Sequence, residues 1–411
     1  MINIKYFRKF PFLLKVINVF LSNWSVFFID FFIGVLIVKY YGSIGKGQFS
    51  ALLAFTGVLA ALLSMGLNLS KVYFENKKII NKDKSFTIQF FYQLLLISVL
   101  VPLFLFFKKN LGVFLELDSS YLSSLFFFIV ILTNTQIFSL FLNSGFLGSG
   151  EVNKYSKLKI SLVIIKLISI SFFIYIGFDI VYSIILISVF EIIFISYIVF
   201  NEKLKIISLS LFNKVELKEY FNFGIKANVN VVLSTIIKRF DYFIITSLLG
   251  VSILGKYSIA LIFYSLIISI PAAIHGLLYG ELTKNKQTKT QILKLVAIIF
   301  LISLTIGLIL MIIIKPFIIM FYGASFIEIV PVAKILIIAA IIQGSSGVFK
   351  VSLISENKSQ FNIYEQLITG VFQICSMIIL IEKYNLIGVA YAILIGSIIS
   401  FSLRYIFYEK N

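Results

Sequence analysis

The chain is poor in the residues that build redox and metal chemistry. Its 411 residues include one cysteine, Cys375, and one histidine, His275. A single cysteine excludes an intramolecular disulfide and a cysteine metal cluster. A single histidine argues against a histidine metal site. No metal and no cofactor are expected, and a proton or sodium gradient stays open as a source of drive. Charge is scarce as well: 13% of residues are charged and 60% are hydrophobic, and the mean hydropathy is +1.04. A soluble domain needs more surface charge than this. A cleavable signal is also missing. Lys5, Arg8, Lys9 and Lys15 precede an apolar stretch too long for a signal-peptide core, and no small-residue cleavage site follows. The first span is expected to remain as an anchor, with the basic and aromatic residues before it lying at the interface.

What the chain does have is long apolar runs, spaced as hydrocarbon-spanning helices of about 20 residues are. The runs are continuous rather than alternating, which excludes a β-barrel. The expected fold is an all-α polytopic membrane protein with about twelve transmembrane helices. They are expected at 17–38, 48–70, 87–107, 122–143, 158–177, 181–200, 225–246, 257–279, 293–314, 330–350, 361–381 and 386–407. The intervening stretches then alternate sides, with 22 Lys and Arg on the side of the N-terminus and seven on the other. Cytoplasmic loops carry the basic excess, so both termini are expected inside. The net charge of +18 thus reads as topology and attraction to anionic lipid, and nucleic acid is not an expected partner. The P-loop-like Gly250-x4-Gly255-Lys256 continues with Tyr257, where magnesium needs Ser or Thr, and no strand precedes it. It reads as a tight turn between helices.

The chain also repeats its own pattern. Gly42-Ser-Ile-Gly-Lys-Gly47-Gln-Phe49-Ser50 returns as Gly250-Val-Ser-Ile-Leu-Gly255-Lys-Tyr257-Ser258, an offset of 250 − 42 = 208. A fainter echo relates Leu147-Gly-Ser149 to Leu353-Ile-Ser355, offset 206. Two six-helix repeat lobes are expected, 1–200 and 225–411, joined by a cytoplasmic connector at 201–224. Duplicated halves in a membrane chain point to a transporter that rocks one half against the other.

Ionisable residues inside spans are costly unless paired or hydrated, and so mark candidate sites. Lys166 and Glu191 lie 12 and 13 residues from the turn at Phe178, so both fall about 18 Å below it, where they either form an expected ion pair or mark a functional cation or proton site. Asp30 lies in span one; Lys238, Arg239 and Asp241 lie in its repeat counterpart, span seven. Gln343, Gly347 and Lys350 share one face of span ten, and Asn362, Gln366, Thr369 and Gln373 one face of span eleven. Such polar stripes fit either a hydrated lumen or helix-to-helix hydrogen bonding. His275 follows Pro271, where a kink is expected, and is either a proton carrier or a packed core histidine. Lys226 near the start of span seven either snorkels to the interface or meets an anionic substrate.

The second half opens Phe223-Gly224-Ile-Lys-Ala-Asn, continues Lys238-Arg239-Phe240-Asp241, then Leu249-Gly250-x4-Gly255-Lys-Tyr257-Ser258, Ile270-Pro271 and Tyr279-Gly280-Glu281-Leu282. Tyr41-Gly42, Phe321-Tyr322-Gly323 and Lys383-Tyr384-Asn-Leu-Ile-Gly388 keep the same order and spacing around it. Across essentially the whole chain this resembles the Wzx-type O-antigen and polysaccharide flippases of the multidrug/oligosaccharidyl-lipid/polysaccharide exporter (MOP) superfamily. The resemblance implies a two-lobed fold in the bacterial cytoplasmic (inner) membrane. It implies translocation of an undecaprenyl-pyrophosphate-linked glycan by alternating access, with no enzymatic step. Lys166, Lys226, Lys238, Arg239, Lys350, Gln343, Gln366 and Gln373 are the substrate-cavity candidates. Asp30, Glu191, Asp241 and His275 are the coupling candidates. A polysaccharide polymerase and a chain-length regulator are the protein partners such a flippase implies.

Two other readings compete. The multidrug and metabolite cation antiporters of the superfamily share the twelve-span plan, and Asp30 matches the acidic cation site many carry. A surplus of bases over acids inside the spans favours an anionic cargo instead. A membrane polysaccharide polymerase needs a long outer loop with catalytic arginines, and no outer loop here is long or contains Arg. Lipid II flippases have fourteen spans and are longer, so this chain is expected to fit them poorly. Replacing Arg239 or Lys350 by Ala is expected to block polysaccharide export while the protein still inserts, as judged by surface glycan and by immunoblot of the membrane fraction.

Overall fold

The computed structural model describes residues 10–114, 116, 122–207, 213–282, 288–356, 358 and 360–409, and these are almost wholly helical. Eleven helices follow one another: α1 Phe10–Leu63, α2 Leu67–Asn76, α3 Lys82–Phe114, α4 Leu122–Gly148, α5 Val152–Ile176, α6 Ile180–Asn201, α7 Lys214–Leu249, α8 Val251–Leu282, α9 Lys289–Tyr322, α10 Ile329–Ser355 and α11 Gln360–Glu409. Each of the twelve expected spans falls on one of these helices, apart from the end of the second, which runs past α1 into α2. Among the described residues, nine helices are long and apolar enough to cross a membrane, and α7 is not among them. Its Lys226, Lys238, Arg239 and Asp241 put charge along the helix. Residues 1–9, with most of the expected interfacial segment, lie outside the described residues.

The two longest helices are pairs of arms. α1 is bent at Gly42, with φ 66° and ψ −164°. α11 is bent at Asn385, with φ 49° and ψ −131°. Spans one and two therefore meet at Gly42, and spans eleven and twelve at Asn385, with no loop between them. Span two ends earlier than expected: Met65 and Gly66 take positive φ and break the chain, and α2 starts afresh. The expected connector is partly helical, because α7 begins at Lys214.

The repeat reappears in the backbone. Positive φ occurs at Gly42, Glu116 and Gly177, and again at Gly250, Gly323 and Asn385. The offsets are 250 − 42 = 208, 323 − 116 = 207 and 385 − 177 = 208. Left-handed residues are uncommon outside turns. Their return at one offset means the same three helix reversals are used twice.

The chain divides into two compact units, residues 1–236 and 237–411. In the first, α1 packs on α5, and α4 touches α1, α2, α3, α5 and α6. Charged residues at its α3, α5 and α6 ends form a clasp: Glu151, in the α4–α5 turn, pairs with Lys82 at 3.2 Å and Lys154 at 2.7 Å, and Lys154 also reaches Glu202 at 2.8 Å. The hydrogen bond from Lys154, aided by Lys82, holds the Glu151 carboxyl below its ordinary range. The clasp thus fades as pH falls through that lowered value. Lys71, counted above with the loop bases, is instead buried with its ammonium 3.8 Å from the centre of the Phe141 ring. In the second unit α10 is the central helix, flanked by α8, α9 and α11. Its Gly344 sits against Pro271 and its Gly347 against His275, so α8 and α10 approach closely. α8 runs helically through Pro271.

Gly42 and Asn385 make opposite predictions. The Gly42 backbone lies in a region that only glycine visits at little cost, and no atom is near enough to clash with an added Cβ. Gly42→Ala is expected to destabilise through backbone strain alone, by about 1–3 kcal/mol. Asn385→Gly relieves a strained turn and is expected to stabilise. Thermal unfolding of the purified variants in detergent checks both signs.

Candidate functional site

The second unit gathers charge in its membrane interior. Glu365, on the first arm of α11, and Arg404, on the second, are 2% and 6% exposed in their side chains and pair at 3.2 Å. Ser400 donates to Glu365 Oε1 at 2.5 Å, and Thr369 does so at 3.4 Å. Arg404 Nη1 donates to Ser346 Oγ on α10 at 2.7 Å. One buried ion pair therefore joins both arms of α11 to α10. Burial of such a pair is tolerated because hydroxyls satisfy its remaining groups.

Further cations surround this pair. Lys350 lies within electrostatic reach of Arg404, Glu365 and Lys238, and Lys238 within reach of Arg239 and Arg404. His275 is within reach of Arg404 and Lys350, its ring lies against Gly347, and its Nε2 is buried with no hydrogen-bond partner among the described residues. Neither Lys238 nor Lys350 makes an ion pair among the described residues. Beside the cluster, Asn362 and Gln366 are buried, and both amide atoms of Asn362 and the Gln366 Oε1 have no hydrogen-bond partner among the described residues. Thr369 of the same expected stripe is bound instead to Glu365. Gln373 packs against Gly396, between the arms of α11, and Gln343 on α10 is partly buried.

Asp241 and Arg239 part company, as their different helix faces require. Asp241 is buried and accepts hydrogen bonds from Tyr257 Oη at 2.5 Å and from the Tyr242 N–H at 2.8 Å. The Arg239 guanidinium lies 5.0 Å from the centre of the Tyr242 ring, a cation–π contact. Gly250 makes the expected turn with φ 89°, and Lys256 pairs with Glu328 rather than with a phosphate loop partner.

The first unit holds a separate group. The expected Lys166–Glu191 ion pair is not formed. Lys166 pairs with Asp30 on α1 at 2.8 Å, and Glu191 accepts from Thr135 Oγ1 on α4 at 2.9 Å. Depth below the turn at Phe178 placed Lys166 and Glu191 at one level, but α5 also packs along α1, and Asp30 is the nearer acid. Lys46, counted above as an outer-loop residue, lies on the second arm of α1 within reach of Asp30 and Lys166. A polar layer adjoins this group: Gln136 donates to Thr56 at 3.1 Å, and Gln93 to the Asn134 carbonyl at 2.9 Å. Lys226 belongs to the first unit, where it is exposed and makes no ion pair among the described residues.

Of the predicted residues, the second unit brings together Lys238, Lys350 and His275, with Gln366 alongside. Glu365 and Arg404 were missed. Arg404 is one of the 22 bases assigned to the side of the N-terminus, although it falls near the end of expected span twelve. Glu365 sits four residues before Thr369, on the polar stripe itself, and was the readable signal. Among the described residues no group of three or more His, Cys, Asp or Glu is placed to hold a metal ion.

Glu365→Ala leaves the Arg404 charge buried and alone, and is expected to cost about 3–5 kcal/mol. Replacing both, as Glu365→Leu with Arg404→Met, is expected to recover most of that loss in the same unfolding assay.

The comparisons with known proteins agree with this architecture. A lipid II flippase, MurJ, in an inward closed conformation matches with a TM-score of 0.77 at 17% identity, over 97% of this chain and 88% of that one. The poor fit expected from length is thus not seen in the fold. An inward-facing multidrug resistance MATE family transporter of the MOP superfamily matches with a TM-score of 0.73 at 15% identity, over 94% of each chain. A MOP superfamily transporter from Pyrococcus furiosus, described as having a binding pocket of reverse polarity, matches at 0.65 and 15% identity, over 96% of this chain and 94% of that one. At these identities the likeness shows a shared fold. No curated protein matches the chain. Residues 46–331 match the family described as polysaccharide biosynthesis protein, and the chain, a multi-pass membrane protein with the MOP transporter fold, belongs to that family.

Proposed function

We propose that the protein carries an undecaprenyl-pyrophosphate-linked oligosaccharide from the inner to the outer leaflet of the bacterial cytoplasmic membrane. The supporting observation is the charge imbalance inside the second unit. Arg404 pairs with Glu365, Lys350 lies within reach of both, and Lys238 lies within reach of Arg404 and Lys350, so this cluster holds three bases to one acid. Uncompensated cations in hydrocarbon are costly, and an anionic headgroup offsets that cost when it binds. A pyrophosphate presents several acceptor oxygens, which Lys and Arg donors bind with charge-assisted hydrogen bonds. The unpartnered amides of Asn362 and Gln366 supply donors and acceptors for sugar hydroxyls. The lipid tail stays in the bilayer while the polar head crosses, so no covalent bond is made or broken.

Membership of a polysaccharide biosynthesis family and a fold shared with a lipid II flippase both support a glycolipid cargo. The duplicated helix reversals support alternating access, in which repeated halves rock about a central site. A proton or sodium gradient drives the cycle in this reading, with His275, Asp241 and Glu191 as the groups that respond. A polymerase and its chain-length regulator consume the exported units. The cation-antiporter reading is weaker, because Asp30, the acid it would use, is already paired with Lys166.

Deletion of the gene is expected to leave complete lipid-linked repeat units on the cytoplasmic leaflet and to abolish surface polysaccharide. Lys350→Ala and Lys238→Ala should each lower translocation about tenfold to a hundredfold, the loss of one charged hydrogen bond of about 1.5–3 kcal/mol, with normal membrane insertion. Unchanged lipid-linked sugars in the deletion strain would rule out the flippase. Single repeat units on the outer leaflet without chain growth would point to a polymerase.

A further inference from the structure

The outer face of the second unit carries a furrow that the proposed transport does not use. α9 and the second arm of α11 both pack on α10, and between them runs a cavity of about 550 Å³. Leu293, Ala297 and Leu301 of α9 form one wall, Phe401 of α11 stands on the other, and Ile342 and Ser345 of α10 lie along the floor. The lining is almost wholly apolar, and it lies on helices long and apolar enough to span a membrane. From Leu293 to Leu301 the α9 wall is eight residues, or about 12 Å at about 1.5 Å per residue. That is close to the hydrocarbon depth of one leaflet, half of about 30 Å.

One end of the furrow is polar and basic. Lys289 at the start of α9 pairs with Glu409 at the end of α11, at 2.7 Å. Lys294 is exposed, makes no ion pair among the described residues, and shares a helix face with Ala297 and Leu301 at spacings of three and seven. By the distribution of basic loops this is the cytoplasmic end. Lysines at a leaflet surface attract anionic headgroups.

We infer that this furrow is a binding site for one acyl chain of an anionic glycerophospholipid of the inner leaflet, with the lipid phosphate held at Lys294. The length of the furrow matches a single leaflet-deep chain, its volume suits one such chain rather than a long polyprenyl tail, and Lys294, which makes no ion pair among the described residues, stands on the same helix face one turn beyond Ala297. The site is independent of the cargo reading, since none of its residues belongs to the Lys238–Lys350–Arg404 cluster.

The test uses the full-length protein in nanodiscs of phosphatidylcholine doped with phosphatidylglycerol that bears a photoactivatable group in its acyl chain. Labelled peptides are mapped by mass spectrometry. The label is expected to concentrate on 293–301 and 398–402, and to be lost there in Ala297→Trp, which fills the furrow. Lys294→Ala should reduce labelling by phosphatidylglycerol to the level given by a phosphatidylcholine probe. Should Ala297→Trp fail to fold, as judged by gel filtration, Leu301→Trp obstructs the same wall one turn deeper. Label spread evenly over the outer face of α9, or unaffected by both tryptophans, would overturn the site. Competition by polyprenyl phosphate, without competition by unlabelled phosphatidylglycerol, would assign the furrow to the cargo's tail and overturn it equally.

Discussion

A charge inside hydrocarbon must be paired, hydrated or matched by a ligand, and the interior of this protein is arranged around that constraint. Each unit resolves it differently. In the first unit Lys166 is bonded to Asp30, Glu191 is satisfied by a threonine hydroxyl, and the buried Lys71 ammonium lies over the Phe141 ring. In the second, the buried Glu365 pairs with Arg404, the buried Asp241 is bonded by the Tyr257 hydroxyl, and Lys238 and Lys350 make no ion pair among the described residues. The buried pair also has a mechanical consequence, since Glu365, Arg404 and Ser346 bind the two arms of α11 and the middle of α10 into one body.

The duplicated backbone and the diverged side chains belong to one history of constraint. Helix reversals at Gly42, Glu116 and Gly177 return at Gly250, Gly323 and Asn385, because the bilayer thickness fixes where a helix pair must turn. Nothing comparable fixes the charges. Asp30, carried forward by 208 residues, meets Lys238, so one position is acidic in one unit and basic in the other.

Packing in the second unit is equally purposeful. Gly344 and Gly347 let α8 lie close against α10, with the imidazole of His275 filling the space above Gly347. Glycine in a membrane helix permits such approach where any side chain would hold the helices apart. The consequence is that His275 lies near the Arg404 and Lys350 charges without a hydrogen-bond partner for Nε2. A change at Gly347 is therefore also a change at His275.

The sequence by itself determined the helical membrane fold, because that follows from hydropathy over windows of about 20 residues. It also made Lys238, Lys350 and His275 visible, since an ionisable residue in an apolar run stands out. Which charges meet was decided only by the tertiary structure. Lys166 had two acids at plausible depth, and the packing of α5 along α1 selected Asp30 over Glu191. Arg404 looked like a loop base until the fold at Asn385 brought it back onto Glu365. Depth in the membrane is a property of one helix and can be counted along the chain. Pairing depends on which faces of two helices are turned together, and that is set by the packing of the whole unit.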